Sequence, residues 1–345
     1  MFKNHSLVSI NLLTYNGEKY IEDCLGSVFN QAYPYFNILI IDNASTDKTV
    51  DYLKRFKNKS NLRIIYNKKN IGFAAGHNQG IRETQGEFIL CLNQDVVLNK
   101  DFIRKAIKIF KKDDQIGAVQ GRLLRWNTGR SILNKSINYD ISHIIDTTGL
   151  VIFKNRRIIN RGQGEINENH YKKMNEVFGA DGAAPIYRRK ALEDVKIKDE
   201  YFDEDFFCYK EDVDLAWRLR LNQWKTIYQP KSIAWHDRTS GESATTRYID
   251  IIKERLKVSR FGKYYAFKNQ RLMQIKNEQI IILLKHFPWF LPKEIASWIY
   301  ILFFEKYTWR AIKALFNQIP NAWQKRKIIM NNKKASAKEM NRWFK

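Results

Sequence analysis

Apolar runs and amphipathic stretches alternate through the first third of the chain. Residues 7–14 read as a strand, 18–29 as a helix, 36–41 as a strand and 46–56 as a helix. The rhythm repeats with a strand at 62–66, a helix at 75–84, a strand at 87–92 and a helix at 100–111. Strands that are apolar on both faces, each followed by a helix, indicate an α/β protein with an open, mixed but mostly parallel, Rossmann-like sheet flanked by helices. In such sheets ligands sit beyond the carboxyl ends of the strands, so the residues just after each strand carry the chemistry.

Those residues are polar in succession: Thr14-Tyr15-Asn16-Gly17-Glu18, then Asp42-Asn43-Ala44-Ser45-Thr46-Asp47, then Asn70-Ile71-Gly72-Phe73-Ala74-Ala75-Gly76-His77-Asn78, then Asn93-Gln94-Asp95. Turn chemistry alone would account for any one of them, and Ser45 or Thr46 with Asp47 makes a helix cap. Four at one sheet edge point to a ligand site. No glycine-rich dinucleotide fingerprint follows the first strand, and no phosphate loop ends in Gly-Lys-Ser/Thr, which excludes NAD and P-loop ATPase chemistry.

A further helix starts near Cys208-Tyr209-Lys210-Glu211-Asp212 and continues to Arg220. At 100° per residue, Glu211 and Asp214 fall on a polar arc with Arg218 and Asn222, while Asp212 falls between Leu219 and Ala216 on the apolar arc. An inward carboxylate needs a partner or a task. It is either a helix-terminus partner or a general base with a raised pKa.

After residue 248 the pattern becomes helical. Apolar runs at 280–290 and 295–304, separated by Pro288 and Pro292, are too short to cross a bilayer. Trp289, Trp298, Tyr300, Tyr307, Trp309 and lysines flank them, and Lys325-Arg326-Lys327 and Lys333-Lys334 add a basic patch. This suits helices lying in a membrane interface; the alternative is packing on the catalytic domain or on a second copy in a homodimer. The expected division is a domain over 1–245, with halves at 1–120 and 121–245, and a basic helical extension over 246–345. The segment 123–171 is expected to form a strand pair around 146–159, with Asn155 at its turn, and to cover part of the site.

The formal charge of +24 is uneven: from Asp250 onward there are 21 Lys/Arg and 6 Asp/Glu, or +15. That calls for an anionic partner, whether nucleic acid, an acidic membrane or a phosphorylated substrate. Nucleic acid is disfavoured because the strand ends carry acids and amides rather than interleaved basic and aromatic residues. Three cysteines, Cys24, Cys91 and Cys208, have no paired spacing and argue against disulfides or zinc. Residues 1–15 lack a signal-peptide pattern, so a cytoplasmic protein, peripheral on the inner face of the cell membrane, is expected.

In this order, the motifs Leu-Leu-Thr-Tyr-Asn-Gly, Ile-Ile-Asp-Asn-Ala-Ser-Thr-Asp, Asn-Ile-Gly-Phe-Ala-Ala-Gly-His-Asn, Leu-Asn-Gln-Asp, Gly-Ala-Asp-Gly-Ala-Ala and Tyr-Lys-Glu-Asp-Val-Asp-Leu-Ala-Trp-Arg-Leu-Arg resemble those of inverting family 2 glycosyltransferases with the GT-A fold. The resemblance runs over about residues 7–243 and is nearest to rhamnosyltransferase-like members of bacterial polysaccharide assembly. It implies a nucleotide-sugar pocket lined by Thr14, Tyr15, Asn16, Glu18, Asp42, Asn43, Gly72, Phe73, Asn78, Asn93, Gln94 and Asp95. Asp42 would accept from a pyrimidine N–H, and Asn93-Gln94-Asp95 stands where the family has Asp-X-Asp.

The resemblance further implies a divalent cation, Mg²⁺ or Mn²⁺, at Asp95 and His236. Gly179, Ala180, Asp181 and Gly182 would floor the donor sugar and acceptor, with Asp181 an acceptor contact. Asp212 would be the base, supported by Glu211. The implied partners are a dTDP- or UDP-linked sugar, with L-rhamnose from dTDP-rhamnose the first choice, and a lipid-linked or polysaccharide acceptor.

Overall fold

The computed structural model describes residues 6–126, 143–167, 169–238 and 248–345. The expected domain boundary at 245/246 lies outside them. Alternation of buried strands and amphipathic helices builds the first half: β1 (Val8–Thr14), α1 (Ile21–Phe29), β2 (Phe36–Asp42), α2 (Thr49–Lys54), β3 (Leu62–Tyr66), α3 (Gly72–Arg82) and β4 (Phe88–Asn93), with β5 (Val96–Leu98) and α4 (Phe102–Phe110) closing it. β1 pairs in parallel with β2 on one side and β4 on the other, and β3 extends β2.

All four expected helix starts move, to Ile21, Thr49, Gly72 and Phe102, and at α2 and α3 the reason is local. α2 begins at Thr49 because the residues ahead of it are bonded to the first loop. Thr49 Oγ1 accepts from Gly17 N at 2.7 Å, and Asp47 Oδ2 accepts from Glu18 N at 3.0 Å. α3 begins at Gly72, so the stretch expected as a loop is already helix. Gly72 has φ +87°, and a Cβ at Gly76 would come within 2.5 Å of Leu13 Cδ1. Gly76 lets α3 rest directly on β1, and Gly72 lets its first turn sit against Phe207.

The second half adds β6 (Ile116–Arg125), β7 (Ile145–Thr147), β8 (Leu150–Ile152), β9 (Ile158–Asn160), β10 (Asn175–Glu176), β11 (Ile186–Arg188), α5 (Arg189–Val195), α6 (Glu211–Leu221) and β12 (Lys225–His236). The sheet order is β10-β12-β6-β11-β4-β1-β2-β3, with β5 on β12 and β7 on β6. β11 runs antiparallel to both β4 and β6, giving the mixed sheet expected. β8 and β9 form a separate hairpin with Asn155 at its turn, whereas Asp146 belongs to β7 and joins the main sheet. One apolar core lies between the sheet and α1, α2 and α4; a second lies under α3, α5 and α6.

The C-terminal helices are α7 (Tyr248–Lys257), α8 (Arg260–Asn277), α9 (Ile280–Lys285), α10 (Phe287–Phe304), α11 (Trp309–Asn332) and α12 (Ala337–Asn341). Phe267, Leu272, Met273, Leu315 and Phe344 share a core with Leu150, Phe178 and Trp217, so the extension is packed into the second half of the domain.

This corrects the wheel drawn for α6. Glu211, Asp214 and Arg218 are buried, and Asp212 alone among residues 211–221 is partly open. Asp214 bonds Arg218 Nε at 3.0 Å, Lys276 Nζ at 2.8 Å and Asn277 Nδ2 at 2.7 Å. At Asp214 the arc that looks solvent-facing in sequence meets the lysine and amide of α8, while Glu211 Oε2 is buried with no hydrogen bond among the described residues.

α9 and α10 are apolar on the outside as well. Ile281, Phe303 and Phe304 are 72%, 69% and 73% exposed, and Ile280, Leu284, Trp289, Ile295 and Ile299 join them. No described helix is long and apolar enough to cross a membrane.

Candidate active site

The loops after β1, β2 and β4 are tied to one another before any ligand is considered. Gln94 Oε1 accepts from Thr14 Oγ1 at 2.6 Å and from Tyr15 N at 2.9 Å, while its Nε2 donates to Tyr15 O. Asn16, at φ 48°, accepts from Thr46 N at 2.8 Å, and Glu18 accepts from Lys48 N at 3.1 Å. Thr14, Asn16, Glu18 and Gln94 therefore use their side chains to bind the loops at this sheet edge to one another. Tyr15 stands exposed beside them. Asp42 is buried; one carboxylate oxygen accepts from Ser45 N at 3.1 Å, and the other has no partner among the described residues.

Three expected pocket residues are used elsewhere. Asn43 donates to Gly72 O at 3.1 Å and accepts from Asn67 Nδ2, anchoring the start of α3. Asn78 is fully buried and exchanges bonds with Phe202 N and O while also donating to Glu204, so it faces the segment before α6. A Cβ at Gly179 would lie 2.2 Å from Ala216 Cβ, so what approaches this glycine is α6. Ala180 is buried beside it. Phe73 packs edge-on to His77 and reaches over Gly182. His77 itself is sealed among apolar neighbours, and burial drops its pKa to about 3.

Asp212 opens α6 after a strained approach: Phe207, Tyr209 and Lys210 all have positive φ, at 61°, 67° and 75°. Its Oδ2 accepts from Gly182 N at 3.1 Å and its Oδ1 from Val213 N at 2.8 Å. Burial, followed by the Asp181 charge, pushes its pKa up to about 6, with Lys210 and the two N–H groups restraining the rise. Glu211 is pushed well above the carboxylate range by burial and then by Asp212.

From Asp212 a polar chain crosses the site. Asp181, next to Gly182, accepts from Arg238 at 3.0 Å; Arg238 also grips Asp146 at 2.6 and 2.9 Å. Asp146 faces His236 Nδ1 at 2.8 Å, and His236 Nε2 faces Asp95 Oδ1 at 3.4 Å. Asp95 Oδ1 is buried and accepts no hydrogen bond among the described residues.

With Nδ1–H on Asp146, Nε2 and Oδ1 are two acceptors face to face, and a cation must lie between them. A proton does this when nothing else is bound: burial opposes it, but Asp95 and then Asp146 overcome burial and raise His236 to about 10. A divalent metal would serve equally, because an orienting carboxylate on the far nitrogen is what metal-bound histidines use. Asp95 and His236 thus fit a metal. No group of three or more His, Cys, Asp or Glu poised to hold one occurs among the described residues. Asp146 and Arg238 were missed in sequence, where Asp146 lies far from both residues it connects and only Arg238, two positions after His236, offered a signal.

Comparison with known proteins gives these features a lineage. Over 231 residues the chain is 29% identical to a poly-β-1,6-N-acetyl-D-glucosamine synthase of Staphylococcus epidermidis, covering 66% of this chain and 49% of that one. The same-named protein of Staphylococcus aureus strain COL is 26% identical over the same length. The chain spans about half the length of these curated relatives.

Among solved structures, S. aureus TarS 1–349 in complex with UDP-GlcNAc aligns over 94% of this chain and 88% of that one, at a TM-score of 0.52 and 19% identity. The Pyrobaculum calidifontis mannosyltransferase PcManGT, solved with GDP-Man and Mn²⁺, aligns over 99% and 88% at 0.52 and 16%. Both share the fold. Residues 9–196, more than half of the chain, match the profile of glycosyl transferase family 2, and the chain belongs to that family.

Proposed function

We propose that the protein transfers a sugar, with inversion, from a pyrimidine nucleotide diphosphate sugar to a hydroxyl of a lipid-linked or growing polysaccharide acceptor. The position of Asp212 carries this reading: a carboxylate with pKa near 6, open to the cleft, its oxygens oriented by Gly182 and Val213 N–H. Such a group is ionised at neutral pH yet basic enough to accept a proton as the hydroxyl attacks. The acceptor oxygen bonds to the anomeric carbon, the bond to the diphosphate breaks, the diphosphate keeps the electron pair, and the proton passes to Asp212.

Asp95 and His236 would hold Mg²⁺ or Mn²⁺, which would supply positive charge to the departing diphosphate. Asp146 holds His236 in the required tautomer, and Arg238 holds Asp146. The unpartnered oxygen of buried Asp42 suits the ring N–H of uracil or thymine. The motif pattern favours L-rhamnose from dTDP-rhamnose. The second reading is a UDP-hexose, favoured by the synthase relatives' printed product and by the TarS complex with UDP-GlcNAc. The exposed apolar helices α9 and α10 suit the inner surface of the cell membrane, where a lipid-linked acceptor is found.

Nucleotide release from a panel of dTDP- and UDP-sugars, with a membrane extract as acceptor and with or without EDTA, tests the proposal. Metal-dependent turnover lost in Asp212→Asn is expected. Turnover of a UDP-sugar alone would remove rhamnose while keeping the mechanism. No turnover of any donor would overturn the reading.

A further inference from the structure

Two carboxylates flank Gly182, and the protein holds them differently. Asp212 is partly open and, among the described residues, accepts from backbone alone, from Gly182 N and Val213 N. Asp181 is buried with both oxygens engaged. Its Oδ1 accepts from Ala183 N at 3.0 Å, and its Oδ2 accepts from Arg238 Nη2 at 3.0 Å. The approach to Asp212 is fixed from α8, where Asn269 Nδ2 donates to Phe206 O, Cys208 O and Tyr209 O at 2.8–2.9 Å. The base is thus held by contacts that do not involve Arg238.

Arg238 stands two residues beyond β12 and joins three segments of the second half. Its Nε and Nη2 grip Asp146 of β7 at 2.6 and 2.9 Å, and the same Nη2 extends to Asp181. Asn160 of β9, with its amide turned to satisfy both neighbours, donates to Asp181 Oδ2 at 3.0 Å and accepts from Arg238 at 3.2 Å. Asp146 is shared with His236, so the guanidinium is not spent on Asp146 alone.

Asp212 is faced by Asp181 across Gly182, by Tyr187 of β11, and by Lys210 and Glu211 from its own end of α6. After burial, the Asp181 charge does most to raise it, and Lys210 opposes the rise. Asp181 is therefore the group through which a cation without contact to Asp212 can act on it.

We propose that Arg238 is a positioning residue for proton transfer: it takes Asp181 into an ion pair and so makes Asp212 the carboxylate that receives the acceptor's proton. The inference rests on the glycosyl-transfer reading above and names a residue outside the motifs that carry the family resemblance. Without the guanidinium, two neighbouring carboxylates would hold one proton between them. The base would then be filled before the hydroxyl arrives.

The test follows kcat/KM for nucleotide release against pH, at saturating Mn²⁺, in the whole chain. Arg238→Gln is expected to move the limb near pH 6 upward by about one unit, the scale of one neighbouring charge. Asp181→Asn is expected to move it downward. In the Asp181→Asn background, Arg238→Gln should shift the limb by less than about half a unit, because its intermediary is gone. Arg238→Lys keeps the charge and loses the forked hold on Asp146, so its limb should stay near that of the wild type.

Loss of turnover with an unmoved limb in Arg238→Gln would overturn the proposal and leave Arg238 a brace for Asp146. So would an equal shift with and without the Asp181 carboxylate. For a variant too slow to assay, urea unfolding reads the same group without catalysis: the pH at which Asp212→Asn begins to stabilise the fold should move up in Arg238→Gln. A wild type with no limb near pH 6, or a limb retained in Asp212→Asn, sinks the base reading itself. A wild-type limb that Arg238→Gln leaves in place sinks this inference alone.

Discussion

Asp146 Oδ2 sits 2.8 Å from His236 Nδ1, and both residues are buried. This contact decides which nitrogen of the histidine faces Asp95. Asp146→Asn would keep the shape and release the tautomer, so Mn²⁺ affinity, measured by electron paramagnetic resonance titration with UDP present, is expected to fall by about 10–100-fold. Unchanged affinity would remove His236 from the metal site.

Asp212 gives a pH signature. If it is the base, kcat/KM rises through a limb near pH 6 and levels above it. Asp212→Asn should lose about 10²–10⁴-fold in kcat at pH 8 and lose the limb as well. A wild-type limb elsewhere, or a variant that retains turnover, would reassign the base.

The same group makes a stability prediction. Its folded pKa of about 6 lies above the unfolded value of about 3.9, so the folded state holds the proton more tightly. Its contribution is complete below pH ~4 and is lost as pH rises through about 6. Asp212→Asn should therefore stabilise the fold at pH 8, on the order of 1–3 kcal/mol, and leave it unchanged at pH 4. Urea unfolding at the two pH values measures the difference.

Lys276 lies between Asp203 and Asp214, and Lys325 reaches Asp203 at 2.5 Å and Glu200 at 2.9 Å. Removing one charge strands its buried partners, so Lys276→Met is expected to cost about 3–5 kcal/mol in urea unfolding. A loss below 1 kcal/mol would mean that water enters the network.

Gly179 and Ala216 provide a packing test. Gly179→Ala should cost about 1–3 kcal/mol through overlap with Ala216. Ala216→Gly in the same chain should restore part of it, less about 1 kcal/mol for glycine within a helix. Failure of the pair to compensate would show that the segment around Gly179 has moved instead.

The first half of the fold was legible because its information is local: apolar strands, amphipathic helices and polar strand ends lie within one repeat of each other. The strand at 62–66 falls where expected. The wheel sets Asp212 apart as the inward acid of its helix, and the structure reverses this: Asp212 is partly open, and Glu211 and Asp214 are buried. The wheel sends Asp214 to solvent, but α8 covers it, and the Lys276 and Asn277 that make this tolerable lie about sixty residues away. Gly179 looked like room for a ligand because a sequence does not say what stands opposite a glycine. Asp146 meets His236 and Arg238 only through the pairing of β7 and β12 with β6.

The hold of α8 on the residues ahead of Asp212 bears on how this protein can be shortened. Three left-handed, non-glycine residues relax unless something outside the loop restrains them; α3 holds Phe207 O through Ala74 N, and α8 holds the rest through the amide of Asn269. A chain ended before Tyr248 would keep the whole stretch matched to its family and lose contacts that orient the start of α6. Trimming the greasy tail to gain solubility would therefore loosen the backbone that positions Asp212.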